Sequence, residues 1–310
     1  MQRKLWRFRT VGLLVVLCLL LVTAVTGCGS STKPEDNSQS QPQQSQSTQG
    51  TQESKGTVNI GYVNWAEDVA VSNLWKEILE SQGYTVKLQS LDVAPLFVGL
   101  NKGDLDIFMD SWLPVTHQSY WDKYKDSLDD YGVWYLADAK IGLVVPKYVT
   151  IDSIDQMKAE KAKFNGQIIG IDPGAGIMKA ADKANKDYGL GFQVVQGSEA
   201  AMMAALGKAV QDNKWVAITG WSPHWMFAKY ELKYLNDPKK DFGAAEALHT
   251  LASKSFAQKT PAVAEMLKKF KMTDQQIGGL EDLINQGMAP QDAAKKWIQE
   301  NQSVVDGWIK

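Results

Sequence analysis

The sequence predicts an α/β protein in two similar lobes. Short apolar runs alternate with segments whose apolar residues recur at helical spacing, which calls for parallel sheets with helices on their faces. A run of helix, strand and Trp-x-Pro occurs twice, at Trp112-Leu113-Pro114 and at Trp221-Ser222-Pro223. In each, an apolar stretch, Leu105-Asp106-Ile107-Phe108-Met109 or Trp215-Val216-Ala217-Ile218-Thr219, leads into the tryptophan. The proline is expected to open the next helix, because the first helical position needs no N–H. Each tryptophan then falls where a strand gives way to a helix, at the carboxyl edge of a sheet, where open α/β sheets bind ligands. A chain of 310 residues with 44% apolar content can bury two such cores.

Residues 1–27 place Arg3, Lys4, Arg7 and Arg9 ahead of an apolar run over 11–25, the pattern of a secretory signal, with an uncleaved anchor as the alternative. Val25-Thr26-Gly27-Cys28 has the form of a bacterial lipobox, so Cys28 is expected to be the lipidated first residue of the mature protein. Residues 29–56 contain no apolar side chain, and 28–56 therefore read as a lipidated cysteine on a flexible tether. With Cys18 lost and Cys28 acylated, no thiol remains for a disulfide, a metal or a nucleophile. Loss of the four basic residues takes 33 Lys and Arg to 29 against 35 acidic side chains, a net charge of −6. Nucleic acid, which demands a basic face, is excluded as a partner.

Within the folded body, 58–63 read as a strand, and Trp65 stands at the turn into a helix with Val71, Leu74 and Ile78 on one face. Gly83 ends that helix; a strand over 84–91, a short helix over 95–100 and the strand into Trp112 follow. A new strand over 141–145 leads to Pro146 and an acidic helix start near Asp152. The pattern then repeats with a strand over 167–171, the turn Asp172-Pro173-Gly174-Ala175-Gly176, a helix to Tyr188 and a strand over 192–196. A helix with Met203, Leu206 and Val210 on one face precedes the strand into Trp221. After a strand over 247–252 the chain is helical, with apolar stripes that pack on the first lobe. That lobe is expected to comprise 57–145 and 246–310, and the second lobe 146–245.

Trp65, Trp112 and Trp221 each follow a strand, whereas Trp75, Trp215, Trp297 and Trp308 lie within expected helices or strands and read as packing. Three indoles at strand ends suit a quaternary ammonium, which donates no hydrogen bond and is held by ring faces at ~0.5–2 kcal/mol per ring. Packing under loops is the bland alternative. The glycine-rich turn at Asp172 to Ile177 opens a helix and leaves N–H groups free for an anion, or is simply a helix start. His117, five residues after Trp112 on the helix expected from Pro114, is a candidate donor to a carboxylate. His224 and His249 read as surface or packing, Asp104-Leu105-Asp106 as a turn, and Gly197-Ser198-Glu199 as a helix cap. No cluster has metal-ligand spacing, no nucleophile motif is present, and no cofactor or enzymatic activity is expected.

Gly61-Tyr62-Val63-Asn64-Trp65, Ser111-Trp112-Leu113-Pro114-Val115-Thr116-His117, Ile141-Gly142-Leu143-Val144-Val145-Pro146, Asp172-Pro173-Gly174-Ala175-Gly176-Ile177 and Gly220-Trp221-Ser222-Pro223-His224-Trp225 together resemble the glycine betaine/proline betaine-binding lipoproteins of ABC importers, over essentially all of 57–310. The resemblance implies a two-lobed periplasmic-binding-protein fold, type II-like, with a hinge of two crossing strands at 141–147 and 247–252. It implies a tryptophan prism of Trp65, Trp112 and Trp221 around the trimethylammonium group, with the ligand carboxylate held by His117 and the backbone amides of Gly176 and Ile177. It further implies a lipid-anchored protein on the extracytoplasmic face that hands its quaternary ammonium ligand to ABC permease subunits with an ATPase. Some members carry the two sequence halves in the opposite order, which changes connectivity and not the site. More distant betaine binders have an aromatic residue where this chain has Ala175, so their box geometry does not carry over. The rival readings are choline, carnitine or an amino acid in the same fold, a lipid-anchored surface hydrolase, or a scaffold lipoprotein. An amino acid would need a charged partner for its ammonium, and none stands beside these tryptophans in the sequence.

Overall fold

Thr57, where the apolar alternation begins, opens the first strand of a computed structural model that describes residues 54–310. The expected signal 1–27, Cys28 and the tether up to residue 53 lie outside the described residues. The chain runs β1 (Thr57–Tyr62), α1 (Ala66–Ser81), β2 (Thr85–Ser90), α2 (Val93–Lys102), β3 (Ile107–Leu113), α3 (Gln118–Tyr124) and β4 (Leu128–Val133). It continues through β5 (Lys140–Pro146), β6 (Gln167–Ile169), α4 (Gly176–Asp187), β7 (Gln193–Val195), α5 (Glu199–Gln211), β8 (Ile218–Ser222), α6 (Met226–Lys229) and β9 (Leu232–Tyr234). It returns with β10 (Ala247–Ser253) and ends in α7 (Phe256–Lys259), α8 (Pro261–Lys269), α9 (Asp274–Asn285), α10 (Pro290–Glu300) and α11 (Gln302–Ile309).

Two five-stranded sheets result, in the orders β2-β1-β3-β10-β4 and β7-β6-β8-β5-β9. The mixed α/β architecture in two sheets agrees with the fold class read from the sequence, but neither sheet is wholly parallel. β1 runs parallel to β2 and β3, and β6 to β7 and β8, whereas β10 is antiparallel to β3 and β4, and β5 to β8 and β9. β5 and β10 are the first strands after the chain passes from one sheet to the other. They enter without a helical crossover, and only such a crossover would return the chain in the parallel sense. Both strands expected at the hinge thus lie inside a sheet except for Lys147, and the boundary expected at residue 145 cuts β5. The chain crosses at 134–139 and 235–246, where Ala139 and Glu246 exchange both backbone hydrogen bonds at 2.9 and 2.8 Å.

The periodicity of α1 is realised in packing: Val71, Leu74, Trp75 and Ile78 are buried, and the helix stops where Gly83 takes a φ of 90° that other residues avoid. Its outer side is covered by the C-terminal helices, with Trp75 edge-on to Phe270 at 5.3 Å and stacked near Trp308 at 6.3 Å. Trp297 stacks on Trp308 in turn, so these three tryptophans are core, as expected. Trp215 is half-buried against Phe164 but lies in the irregular chain before β8, not in a strand.

The prolines of the two Trp-x-Pro elements do not open helices. Pro114 and Pro223 follow cis peptide bonds, and the next helices begin only at Gln118 and Met226. Trp112 and Trp221 sit inside the last turns of pleat of β3 and β8 rather than beyond them. Distant partners decide the first turn: buried Glu246 accepts from the N–H groups of Val115 and Thr116 at 2.9 and 2.7 Å and from the Thr116 hydroxyl, while the His117 N–H returns to the Trp112 carbonyl at 2.8 Å. Proline does stand at the first turn of α8 and α10, where no such partner intervenes.

Candidate ligand-binding site

The carboxyl ends of the parallel strands face one another across a cleft. β1 delivers Trp65 three residues beyond its end, β3 carries Trp112, the turn after β6 leads into α4, and β8 carries Trp221. Trp65, Trp112, Trp221, His117, Gly176 and Ile177, the six candidate residues of the sequence, wall a single cavity of ≈ 280 Å³, together with Glu67, Thr116, Ile141, Ile171 and Ala175. Trp65 and Trp112 come from the first sheet and Trp221 from the second.

Each buried indole N–H needs an acceptor, and each has a carboxylate. Trp112 Nε1 donates to Asp110 at 3.0 Å; Trp65 Nε1 donates across the cleft to Asp172 at 3.1 Å; Trp221 Nε1 donates across it to Glu67 at 2.8 Å. With their edges so committed, the rings have π faces left to offer. Further bonds span the cleft, among them those from the Tyr120 hydroxyl to the Gly174 carbonyl at 3.1 Å and from the Ala66 N–H to Glu199 at 2.9 Å. The two halves are therefore closed on each other.

These carboxylates are the residues that sequence reasoning missed. Glu67 in particular stands beside the tryptophans, where no charged partner was expected. Burial first, and then the nearby Glu199, push its carboxyl up to about 8, against the opposing pull of the Trp221 N–H. At neutral pH it is chiefly neutral and offers no anion to a primary ammonium. Burial, followed by Glu67 and Asp68, likewise lifts Asp110 well above the usual carboxylate range. The rule that a buried indole needs an acceptor marks Asp110-Ser111-Trp112 in the sequence, but Trp65 and Trp221 find their acceptors 107 and 154 residues away.

His117 is fully buried at the N-terminus of α3 and not on a helix opened by Pro114. Its Nδ1 accepts the Trp112 backbone N–H at 3.0 Å, which places the proton of the neutral ring on Nε2. That Nε2 is buried and has no partner among the described residues. Burial, then Lys179, push the imidazole down to about 3, so the ring remains a neutral donor. α4 begins at Gly176 behind Ala175, which provides no side-chain cap, so N–H groups of its first turn stay available. A Cβ at Gly176 would collide with the Thr116 carbonyl oxygen, and only glycine permits this approach of α4 to the turn at 114–117.

The remaining candidates resolve as structure. Asp106 is buried between the Asn59 N–H and Lys259, Ser198 caps α5 by accepting the Ala201 N–H, and His249 pairs with Asp130. His224, expected at the surface or in packing, is packed and buried, and it has a partner the sequence did not suggest, Glu199, at 3.2 Å. Glu199 lies at the start of an unrelated helix in the sequence, which is why no spacing betrayed the pair.

A model of the family described as the substrate-binding domain of ABC-type glycine betaine transport systems matches residues 56–300. The glycine betaine/carnitine transport binding protein GbuC of Listeria monocytogenes is 40% identical over 162 residues, which cover 51% of this chain and 54% of that protein, about half its length. A lactococcal OpuAC, solved closed and complexed with glycine betaine, superposes with a TM-score of 0.77 at 38% identity over 82% of this chain and 100% of that one. A choline-binding protein of an ABC transporter, solved with choline, gives 0.76 at 25% identity over 82% and 91%.

Proposed function

Because the chain belongs to the substrate-binding domains of ABC-type glycine betaine transport systems, we propose that it captures glycine betaine, and the related proline betaine, for uptake as an osmoprotectant. It is a binding protein and not an enzyme. The observation that carries this reading is the meeting of three indoles from two sheets around one cavity that also holds three unspent donors. A trimethylammonium group has no N–H to give and is recognised by aromatic faces, at ~0.5–2 kcal/mol per desolvated ring. Its carboxylate answers the Nε2–H of His117 and the N–H groups of Gly176 and Ile177.

The lobes of this reading are the two sheets with their helices, hinged at 134–139 and 235–246. A ligand that touches both gains its full contacts only when they close, and so shifts the hinge toward the closed form. The closed form is what the permease subunits, driven by their ATPase, would accept. The expected signal at 1–27 and lipidated Cys28 would hold the protein on the extracytoplasmic face, with 28–56 as its tether.

Choline, bound by one structural relative, is the second reading, since it shares the cation. It lacks the anion that the three donors call for. Calorimetric titration separates the two: glycine betaine should bind far more tightly than choline, and Trp112→Ala or Trp221→Ala should weaken it by well over tenfold with circular dichroism unchanged. Equal affinity for choline would show the donor assignment to be mistaken. Unchanged affinity in the tryptophan variants would remove the cation box.

A further inference from the structure

Glu199, like Asp172, joins the two halves of the cleft without lining the cavity. α1 begins at Ala66, and its N-cap position is occupied by Trp65, whose indole cannot accept a hydrogen bond from the helix; no side-chain cap is present. Its own sequence thus leaves the start of α1 without the acceptor that Ser, Thr, Asp or Asn usually supplies. Glu199, the first residue of α5 on the other sheet, fills that place. Its Oε2 accepts the Ala66 N–H at 2.9 Å, one residue from a tryptophan of the cavity.

The aim of Glu199 is itself fixed. Its Oε1 lies 3.2 Å from His224 Nε2. The His224 Nδ1 accepts the Met226 N–H at 3.0 Å, which leaves the proton on Nε2 and makes the ring a donor to Glu199. The same imidazole packs edge-on against Trp221 at 4.7 Å, so one short stretch after β8 both orients the carboxylate and abuts the cavity wall. Both oxygens of Glu199 are satisfied, one within its own half and one across the cleft.

We infer that Glu199 is a latch: it caps α1 across the cleft in the closed form and thereby sets how long a bound ligand stays. The latch rests on the reading of a ligand-driven closure. In an open cleft the Ala66 N–H would meet water, so the contact belongs to closure and not to the fold of either half. It forms after the ligand has entered and governs escape rather than encounter. Glu199 is a positioning residue, since it touches no atom of the cavity wall that faces the ligand except through Ala66 and His224.

Stopped-flow tryptophan fluorescence with glycine betaine tests it. Glu199→Ala should raise the dissociation rate about tenfold, the size of a lost helix cap, while the association rate stays within about twofold. It also leaves the His224 Nε2–H without its acceptor, so the ligand-free melting temperature of this variant falls with or without a latch. Ala66→Pro, which leaves Glu199 on His224, carries that control, and its ligand-free melting temperature should hardly move, where a purely structural role would lower it. Ala66→Pro probes the other partner. It removes the donor at the first helical position, which tolerates proline, and Trp65 at φ −105° and ψ 149° has the extended backbone a residue before proline requires. Alone it should also speed dissociation, and in the Glu199→Ala background it should add little, because the two substitutions break one contact. A wild-type dissociation rate in Glu199→Ala, or full additivity of the pair, overturns the latch. If Glu199→Ala fails to fold, Ala66→Pro alone decides by the same readout. Absence of any betaine signal in the wild type would overturn the ligand reading itself, a result distinct from either.

Discussion

His117 owes its donor character to its own neighbour in the chain. The Trp112 N–H occupies Nδ1, burial keeps the ring neutral, and the remaining Nε2–H has no acceptor among the described residues. A buried donor without a partner costs about 1–3 kcal/mol, and an anionic ligand atom removes that cost. His117→Phe preserves a ring to stack on Trp65, which His117 now meets at 5.7 Å, but deletes the donor. The ratio of glycine betaine to choline affinity should then fall about tenfold or more, since a hydrogen bond to a charged group contributes about 1.5–3 kcal/mol. Competition calorimetry measures that ratio; one left intact would show that the carboxylate is held elsewhere. The titration has a defined sign. A folded value of about 3 lies below the ordinary 6.5, so the stability tied to the neutral ring is complete above pH 6.5 and is lost as pH falls toward 3. An NMR titration should accordingly find the His117 imidazole neutral throughout the range from pH 5 to 8.

α4 shows how a whole element depends on one absent side chain. Its first residue, Gly176, lies so close to the Thr116 carbonyl that an added Cβ has backbone, not a yielding side chain, in its way. Gly176→Ala should therefore weaken glycine betaine binding more than tenfold by obstructing closure. The ligand-free protein should be no less stable, because alanine favours a helix over glycine by roughly 0.5–1 kcal/mol. Titration and melting of the same variant separate the two effects, and a destabilised protein with normal affinity would contradict the argument. Local signals made such elements legible: the apolar face of α1, Trp65 before it, and the glycine turn into α4 all follow from spacing. β4 and β9 were not legible, since Leu128-Asp129-Asp130-Tyr131-Gly132-Val133 is a half-exposed edge strand without alternation and β9 has 3 residues. The turn at 114–117 was misread because its partner, Glu246, is 130 residues or more away. The six residues of the cavity could be foreseen from strand ends and the family resemblance. Of the carboxylates behind them only Asp110, two residues from Trp112, has a local signal; Asp172 reaches Trp65 from 107 residues on, and Glu67 lies 154 residues from Trp221.

The molecule as a whole gathers acidic side chains where its halves meet. Glu67 and Asp68 at the start of α1 are each pushed up to about 8, by burial above all. Glu281 on α9 is raised well above its ordinary value by burial, then by Glu67 and Glu199, against the opposing pull of the Trp225 backbone N–H. It lines a second cavity with Glu199, Trp225 and Ile284, and Asp274 adds further repulsion. The unfolded chain ionises these carboxyls near 4.5 or below, whereas the folded one holds them protonated toward 8. Their contribution to stability is thus complete below the unfolded value and is lost as pH rises through the folded one. His117 acts in the opposite sense below pH 6.5, but one imidazole does not offset several carboxyls, so the net effect from about pH 4.5 to about 8 is a loss of stability as pH rises. The melting temperature of the glycine betaine-saturated protein, whose cleft is closed, should fall between pH 6 and pH 8, and Glu281→Leu should reduce the fall. At pH 8 that variant should gain about 1–3 kcal/mol, because it removes a buried carboxyl that Glu67, Glu199 and Asp274 repel. Calorimetric scans of both proteins across this range measure the slope directly. A melting temperature that rises toward pH 8, or a variant less stable than the wild type there, would mean that closure leaves these carboxyls in contact with water.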